Sequence, residues 1–598
     1  MAEETTAAEP GQAMREETRE LTLRALATGL VIGAVLTPCN VYSGLKIGWS
    51  FNMSIAAGLL AYGFWGSLHR AGRVPQLGLR ENNINQTAAS AAASIVSGGL
   101  VAPIPALTML TGQTLPWFWL MVWVFLVSIL GVFVAAGLRE AMLEREKLPF
   151  PAGVATAETL REIHARGREA ALKLRGLLSA AGAAGMVKLI VDLGAVGPRF
   201  ALPFSVPAWS ALRAAVPGGI SFANLGLAFD PSLLMLGFGA IIGLRAGISL
   251  LIGALAGWLV LAPIAIANGW AQAGAADATW FGPLVTWLLW PGVTLLVVSS
   301  LTSFVLTILS SARRRRAEGM RVTTRARFDW RFAMGLAVLA AALTIACFKF
   351  YDINPIMGVL AVALSFLLAI VACRVTGETG ITPIGALGKV TQLTFGFMVP
   401  GQMAANLMTA NVTGGAAGQS ADLMTDLRTG LEVGATPRLQ IIAQSFGILV
   451  GSVVGTLVYL ILIPDPAHKL ITPQWPAPAV ATWKAVAEGL AHGLSSLPPS
   501  AVMAIAIAAP IGFALALAEF LLPEHKAKLV PSAPAIGLAF VIPAWNSISL
   551  FLGAVIAAVF LKGWPRLAER YTLPVAAGLV AGESLMGIVT IGIHVFMK

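Results

Sequence analysis

Residues 371–400, VACRVTGETGITPIGALGKVTQLTFGFMVP, are apolar enough to lie in a membrane, yet they carry isolated polar side chains. Glu378, Lys389 and Gln392 stand among glycine, threonine and proline residues that interrupt a helix. A charge at membrane depth is costly, so such residues face a bundle interior or a water-filled cavity. Interrupted backbone at that depth is tolerated only in the same surroundings, and secondary transporters use it to build substrate sites. The stretch is therefore predicted to form the floor of a transport site.

The composition of the whole chain agrees with a membrane location. Of 598 residues, 57% are hydrophobic and 12% are charged, and the mean hydropathy is +0.79. Soluble domains carry about 25% charged residues, and long uncharged runs recur here from end to end. We predict an all-α polytopic membrane protein of about sixteen transmembrane helices, some of them broken or re-entrant.

Basic residues predict how the chain is oriented and divided. Eight arginines lie between positions 313 and 331, and such loops stay in the cytoplasm. The polar N-terminus lacks the apolar core of a signal peptide and is predicted to be cytoplasmic too. The predicted parts of this inner (plasma) membrane protein are a cytoplasmic segment (1–23), a first transmembrane half (24–311), an Arg-rich cytoplasmic linker (312–331) and a second transmembrane half (332–598).

Internal similarity between the halves predicts a duplication. Residues 231–260 align without a gap on 531–560, matching Pro231 with Pro531, Ser249 with Ser549 and Gly253 with Gly553, among others. Residues 85–99 resemble 401–415, and YSGLKIG resembles VTGETGI more weakly. The loop charges place the paired segments in opposite orientations, as in transporters with inverted repeats.

Five segments in one order resemble a known family. They are SGLKIGWSFNMS (43–54), NNINQTAASAAASIVSGG (82–99), LPFPAGVATAETLR (148–161), TGETGITPIGALGKVTQL (376–393) and PAWNSISLFLGA (543–554). Together they resemble the oligopeptide transporter family, which includes the yellow stripe-like transporters, and the short loops look like those of its prokaryotic members. The resemblance implies about sixteen helices formed by duplication, often in a homodimer. It also implies proton-coupled uptake of short peptides, glutathione-like thiols or metal chelates.

Candidate functional residues are the polar groups inside apolar runs. Glu378 and Glu583 are predicted to couple transport to protons, since a buried carboxylate can change its protonation state between the two sides. Glu378 could instead form a surface pair with Arg374. Lys46 and Lys389 are candidates for binding a substrate carboxylate.

Amide side chains and one tyrosine complete the predicted substrate site, because amides both donate and accept hydrogen bonds. The alternative for each amide is an interhelical hydrogen bond. The predicted substrate-binding residues are Asn40, Tyr42, Lys46, Asn82, Asn85, Gln86, Lys389, Gln392, Gln402, Asn406 and Asn546.

Other function classes find little support in the sequence. It contains no phosphate-binding GxxxxGK[ST], GxSxG or HExxH motif, so we expect no enzyme and no cofactor. Aspartate is sparse in the predicted spans, one of which covers 401–418, and the six His and three Cys predict no metal site. The net charge of +11 reflects cytoplasmic loops and indicates no nucleic acid partner. The alternative to a proton-coupled carrier is a channel or a facilitator without proton coupling.

Overall fold

The computed structural model describes residues 19–50, 53–165, 167–194, 199–207, 209–317, 330–380 and 382–596. Most of the predicted cytoplasmic segment 1–23 and most of the Arg-rich linker 312–331 lie outside these ranges. The described chain is almost entirely helical.

Twelve helices lie before the linker. They are α1 (Leu23–Ile47), α2 (Ser54–Arg70), α3 (Leu79–Ala93), α4 (Pro103–Thr111), α5 (Trp117–Arg139), α6 (Pro151–Ala165), α7 (Gly167–Asp192), α8 (Ser210–Ala215), α9 (Leu233–Ile242), α10 (Leu244–Ala254), α11 (Ala262–Ala267) and α12 (Phe281–Ala317) within the described residues. The helix α10 continues into α11 through a π-helical segment, Leu255–Leu261, and α5 continues into another, Glu140–Arg145. A 3-10 turn, Ser94–Gly98, follows α3.

The described residues after the linker form twelve more helices. They are α13 (Trp330–Tyr351), α14 (Pro355–Thr379), α15 (Ile384–Met398), α16 (Met403–Val433), α17 (Pro437–Leu462), α18 (Pro466–Lys469), α19 (Pro478–His492), α20 (Pro499–Leu521), α21 (Glu524–Ala527), α22 (Ala533–Val541), α23 (Ala544–Gly563) and α24 (Pro565–Phe596). A 3-10 turn, Leu494–Ser496, precedes α20. Two short antiparallel strands, β1 (Phe200–Ala201) and β2 (Ala228–Phe229), pair within the connection from α7 to α9.

Twelve helices in the described part of the chain are long and apolar enough to cross a membrane. This confirms the polytopic all-α class, whereas the predicted number of about sixteen spans is not confirmed. The helix α16 is not among the twelve, although it has 31 residues and is buried along most of its length. The predicted span 401–418 was too short, because α16 continues to Val433 and carries Asp422 and Asp426 into the bundle.

The repeated segments 231–260 and 531–560 form two helical hairpins that pack reciprocally. Gly253 lies against the backbone of Ile536, and its counterpart Gly553 lies against the backbone of Leu236. A side chain on Gly553 would place its Cβ 2.1 Å from the Leu236 carbonyl oxygen, so only glycine permits this approach. Residues 236 and 536 correspond in the alignment, so the two hairpins are related by an approximate two-fold operation.

Hydrogen bonds between the two hairpins follow the same two-fold relationship. Ser249 Oγ accepts from the backbone N–H of Ser532 at 2.8 Å, at the start of the short helix α22. Its counterpart Ser549 donates through Oγ to the carbonyl oxygen of Asp230 at 3.0 Å, just before the short helix α9. The helices α9 and α22 have only ten and nine residues, about half the length that crosses a bilayer. Both are therefore half-helices.

Residues 371–400 are interrupted where their glycine and proline content predicts. The helix α14 ends at Gly380, which has a φ of +77°, and Pro383 precedes α15. The helix α1 ends in the same way at Gly48, also with a φ of +77°. Lys46 and Glu378 each lie two residues before these glycines, so they occupy equivalent places at two helix ends.

Candidate functional site

A polar cavity of about 670 Å³ lies where the last turn of α1 meets α7, α9, α23, α24 and the loop before α19. Its size falls in the range of small-molecule sites, about 300–1,000 Å³. Since α1 begins at Leu23, the cavity lies toward the end of the bundle away from the N-terminal segment. The sequence predicted a site near residues 371–400, but none of those residues lines this cavity.

The cavity contains charges of both signs. Its cations are Lys46, Lys188, Arg199 and Lys469, and its carboxylates are Asp192, Asp230 and Glu583. Two ion pairs connect members of these sets, Lys188 with Asp192 and Arg199 with Asp230. The first joins two residues of α7 that are one helical turn apart. A lining of this kind suits a ligand that carries both cationic and anionic groups.

Lys46 faces aromatic rings in the cavity. Its Nζ lies 5.1 Å from the ring centroid of Trp475 and 5.7 Å from that of Tyr42. Among the described residues it has no carboxylate within ion-pair distance. The two rings face it with their π-electrons, which is a weaker stabilisation than an anion provides. The Lys46 ammonium is thus free to receive an anionic group of a ligand.

Glu583 caps the N-terminus of the half-helix α9. The Ser232 hydroxyl donates to Oε1 at 2.7 Å, and the backbone N–H of Leu234 donates to Oε2 at 2.7 Å. Unpaired N–H groups and the helix dipole make this position favourable for a carboxylate. Glu583 thus lies in a buried anion site that opens on the cavity, where a change in its protonation would alter contacts with α9.

Aromatic and amide groups complete the lining. The Arg199 guanidinium lies 3.9 Å above the ring of Trp545, and Trp545 is itself buried. The neighbouring Asn546 lines the cavity and is buried as well. Trp475 contacts Tyr42 edge to face, with ring centroids 5.2 Å apart. These side chains offer stacking surfaces and an amide beside the charges.

Four of the predicted functional residues therefore meet in the cavity: Tyr42, Lys46, Asn546 and Glu583. Glu378 does not join them. It lies at the end of α14, where the hydroxyl of Ser311 donates to its Oε2 at 2.7 Å. The alternative partner named from the sequence, Arg374, binds Glu146 at 2.8 Å instead.

Three predicted residues form a second polar cluster, between α15 and α16. Lys389 Nζ donates to Oε1 of Gln392 at 2.9 Å and lies 4.3 Å from the ring centroid of Trp483. Gln392 Nε2 in turn donates to Oδ1 of Asn406 at 3.1 Å. Gln402 is exposed at the start of α16.

The remaining predicted amides lie between helices. Asn40 donates to the Ala93 carbonyl at 2.9 Å, Asn82 to that of Gly58 at 3.1 Å and Asn85 to that of Ala57 at 3.3 Å. Gln86 donates to Oδ1 of Asn83 at 3.2 Å. The contacts of Asn40, Asn82 and Asn85 are the interhelical bonds named as the alternative, whereas Gln86 and Asn83 both lie on α3. A role in binding stays a prediction for each residue.

Sequence reasoning missed most of the charges in the cavity. Asp230 directly precedes the repeated segment at Pro231, and that position was the available signal. Lys188, Asp192, Arg199 and Lys469 were not among the predicted substrate-binding residues. Each becomes part of one site only when segments far apart in the chain fold together.

Comparisons with known proteins agree with this architecture. The sequence profile of the family described as OPT oligopeptide transporter protein matches residues 20–594. A putative oligopeptide transporter of Saccharomyces cerevisiae is 24% identical, covering 96% of this chain and 95% of its own length. A probable metal-nicotianamine transporter of Oryza sativa subsp. japonica is 25% identical, covering 95% and 89%. A metal-nicotianamine transporter of Arabidopsis thaliana is 24% identical, covering 95% and 92%.

The profile spans nearly the whole chain, and the relatives match it over almost their full lengths. The match includes both hairpins, the broken segment between α14 and α15 and the residues around the polar cavity. The chain is therefore a multi-pass membrane protein that belongs to the oligopeptide transporter family.

Proposed function

We propose that this chain is a secondary active transporter that takes up short peptides or peptide-like molecules, including glutathione-type and metal-chelate substrates, together with protons. The observation that supports the proposal is the polar cavity, with its charges of both signs and the ammonium of Lys46, which pairs with no carboxylate of the described residues. A peptide and an amino-carboxylate chelate both present carboxylates and amines. The names of the relatives, which refer to oligopeptides and to metal-nicotianamine, fit this chemistry.

Binding would use the cavity charges in pairs. A substrate carboxylate would contact Lys46, and a substrate ammonium would contact Asp192 or Asp230, which already accept from basic side chains. Charge-assisted hydrogen bonds of this kind are stronger than neutral ones and give specificity in a partly dry site. Metal would enter already chelated, because no three His, Cys, Asp or Glu side chains of the described residues are grouped as a metal site.

Proton coupling is assigned to Glu583 and, on the sequence prediction, to Glu378. Glu583 lies in the cavity beside the predicted substrate, and Glu378 occupies the equivalent place to Lys46 at the end of α14. In an inverted repeat, equivalent helix ends face opposite sides of the membrane. This arrangement would let one carboxylate exchange protons on each side.

Uptake into proteoliposomes tests the carrier and its coupling. After a thermal-shift screen with tetra-alanine, glutathione and nickel-nicotianamine, the stabilising probe is offered with an inward proton gradient. We expect saturable uptake, counterflow and accumulation driven by the gradient. Glu583→Gln and Glu378→Gln should each lose gradient-driven accumulation while counterflow persists.

The outcomes separate the alternatives. A current that does not saturate and lacks counterflow would identify a channel. Accumulation by Glu378→Gln against the substrate gradient would remove Glu378 as a coupling residue, and the same result for Glu583→Gln would remove Glu583. The homodimer and the cytoplasmic N-terminus also remain predictions, and native mass spectrometry tests the first.

A further inference from the structure

Two aspartates lie inside the bundle, away from the polar cavity. Asp422 and Asp426 are one turn apart on α16, where side chains four residues apart are neighbours. Asp426 is 3% exposed, and neither residue lines the cavity. It lies seven residues before Val433 at the end of the helix, or about 10 Å along the axis. This depth places it toward the opposite end of the bundle from the cavity.

The surroundings of Asp426 are neutral amides and hydroxyls. The side chains of Ser54 and Gln86 contact its carboxylate. Its backbone carbonyl accepts from Nε2 of Gln440 at 2.8 Å, and Gln440 also donates to the hydroxyl of Thr87 at 3.2 Å. The carboxylate therefore sits in one connected polar network built from α2, α3, α16 and α17.

Acceptors in this network are left without donors. Among the described residues, Oδ2 of Asp426 has no hydrogen-bond partner, and neither have Oε1 of Gln86 and Oε1 of Gln440. All three residues are buried almost completely. A buried acceptor without a donor costs free energy, so its presence in a native structure calls for a physical explanation such as a functional role. A proton or a cation among these three oxygens would satisfy them.

Positive charge from the protein does not supply it. The titratable groups that act on the pair are the two aspartates themselves and Cys373, which lies beside Asp422 on α14. The cations of the packed helices in the described residues have other partners or are exposed. Ion pairs join Arg80 with Glu20, Arg139 with Glu144, Arg161 and Arg428 with Glu432, Arg374 with Glu146 and Lys484 with Glu488. Lys389 donates to Gln392, and Arg70, Lys349 and Arg438 are exposed.

We propose that Asp426, with Asp422, forms a proton-binding site separate from the polar cavity. A proton taken from water would form an O–H bond on Oδ2 of Asp426. The new hydroxyl would donate to an amide oxygen such as Oε1 of Gln86, so that one proton satisfies two unpaired acceptors. Two carboxylates so close together, with no facing cation, cannot both stay ionised at low cost.

The proton site and the cavity use residues that are close together in the sequence. Ser54, which contacts Asp426, is the first residue of α2, and Lys46 lies in the last turn of α1. Lys46 of the cavity and Ser54 beside the proton site are therefore eight positions apart in the sequence. The use of this proton in transport rests on the proposed function, whereas its binding does not.

Infrared spectroscopy of the reconstituted full-length protein tests the binding without any substrate. A protonated carboxyl group absorbs apart from a carboxylate, so a pH titration follows the proton directly. We expect a protonated band near neutral pH in the unaltered protein that Asp426→Asn removes. Asp277→Asn, on an exposed loop, is the matched control and should keep the band.

A second variant with a smaller change tests the proposal even where Asp426→Asn does not fold. Ser54→Ala removes a donor that stabilises the ionised form, so the band should persist to higher pH. The proposal is overturned if the band survives in Asp426→Asn, or if sodium chloride removes it at constant pH while choline chloride does not. Uptake by Asp426→Asn then tests whether the bound proton is used in transport. Counterflow without gradient-driven accumulation supports this use, and unchanged accumulation contradicts it.

Discussion

The ammonium of Lys46 and the carboxylate of Glu583 line one cavity but have different surroundings. Glu583 is held by two hydrogen bonds at the start of α9, whereas Lys46 faces the rings of Tyr42 and Trp475 and no carboxylate within the described part of the chain. The carboxylate is thus already satisfied within the protein, and the ammonium gains most from an incoming anion. Replacing Lys46 should therefore weaken substrate binding more selectively than replacing Glu583.

Lys46→Gln should weaken the binding of glutathione about tenfold or more. A hydrogen bond to a charged group contributes about 1.5–3 kcal/mol, and 1.4 kcal/mol corresponds to about a factor of ten in Kd. Calorimetric titration of the purified protein measures the change. Lys528→Gln, an exposed lysine after α21, is the matched control and should leave Kd unchanged. Equal affinity in Lys46→Gln and the unaltered protein would contradict this role.

The two hairpins, α9–α10 and α22–α23, are the elements that bring the cavity together. Each combines a half-helix with a longer helix, and each places a glycine against the backbone of the other. Their close packing fixes the start of α9 against Glu583 and the start of α23, with Trp545 and Asn546, against the cavity. Small residues permit this approach, which supplies dispersion contacts where the membrane offers no hydrophobic driving force.

Gly553→Leu should destabilise the protein by about 1–3 kcal/mol, because the added side chain would force the hairpins apart. Its Cβ would meet the Leu236 carbonyl oxygen at 2.1 Å. Gly253→Leu, the equivalent change in the other hairpin, should have an effect in the same direction.

Thermal unfolding in detergent, followed by the intrinsic fluorescence of tryptophan, measures the loss. Gly592→Ala in α24 provides the control, since a Cβ there meets nothing within 4 Å. If Gly553→Leu melts at the same temperature as this control, the hairpin contact does not limit stability.

In the molecule as a whole, the direction in which each helix runs decides which loops lie on the same side of the membrane. Arg245, at the start of α10, binds the Val530 carbonyl and Glu519, so it lies at the same end of the bundle as the segment after α21. From there, residues 244–267 run on as one candidate span to the loop that contains Asp277. Asp277 and Lys528 therefore lie at opposite ends. The basic residues near Lys528 favour the cytoplasm for that end.

Labelling of introduced cysteines tests this orientation. An impermeant maleimide added to intact cells should label Asp277→Cys, whereas it should label Lys528→Cys only after the membrane is opened. Both positions are exposed, and the three native cysteines, Cys39, Cys347 and Cys373, are buried. Labelling of Lys528→Cys in intact cells would reverse the proposed orientation and place the polar cavity on the cytoplasmic side.

By itself, the sequence determined the membrane class, the duplication and the break at Gly380, because composition, alignment and glycine–proline chemistry are local properties. It also singled out Lys46, Glu583, Tyr42 and Asn546. Only the tertiary structure decided that these four share a cavity, since Ser232 and Glu583 bind across 351 positions of the chain.

Asp422 and Asp426 of α16 are a second case in which the tertiary structure decides the environment of a residue. In the sequence, Asp422 and Asp426 follow a predicted span and resemble an ordinary polar helix end. In the fold, α16 is surrounded by other helices, so these carboxylates lie among unpaired amide oxygens rather than in water. Burial depends on which elements pack around a residue, and no local pattern encodes that arrangement.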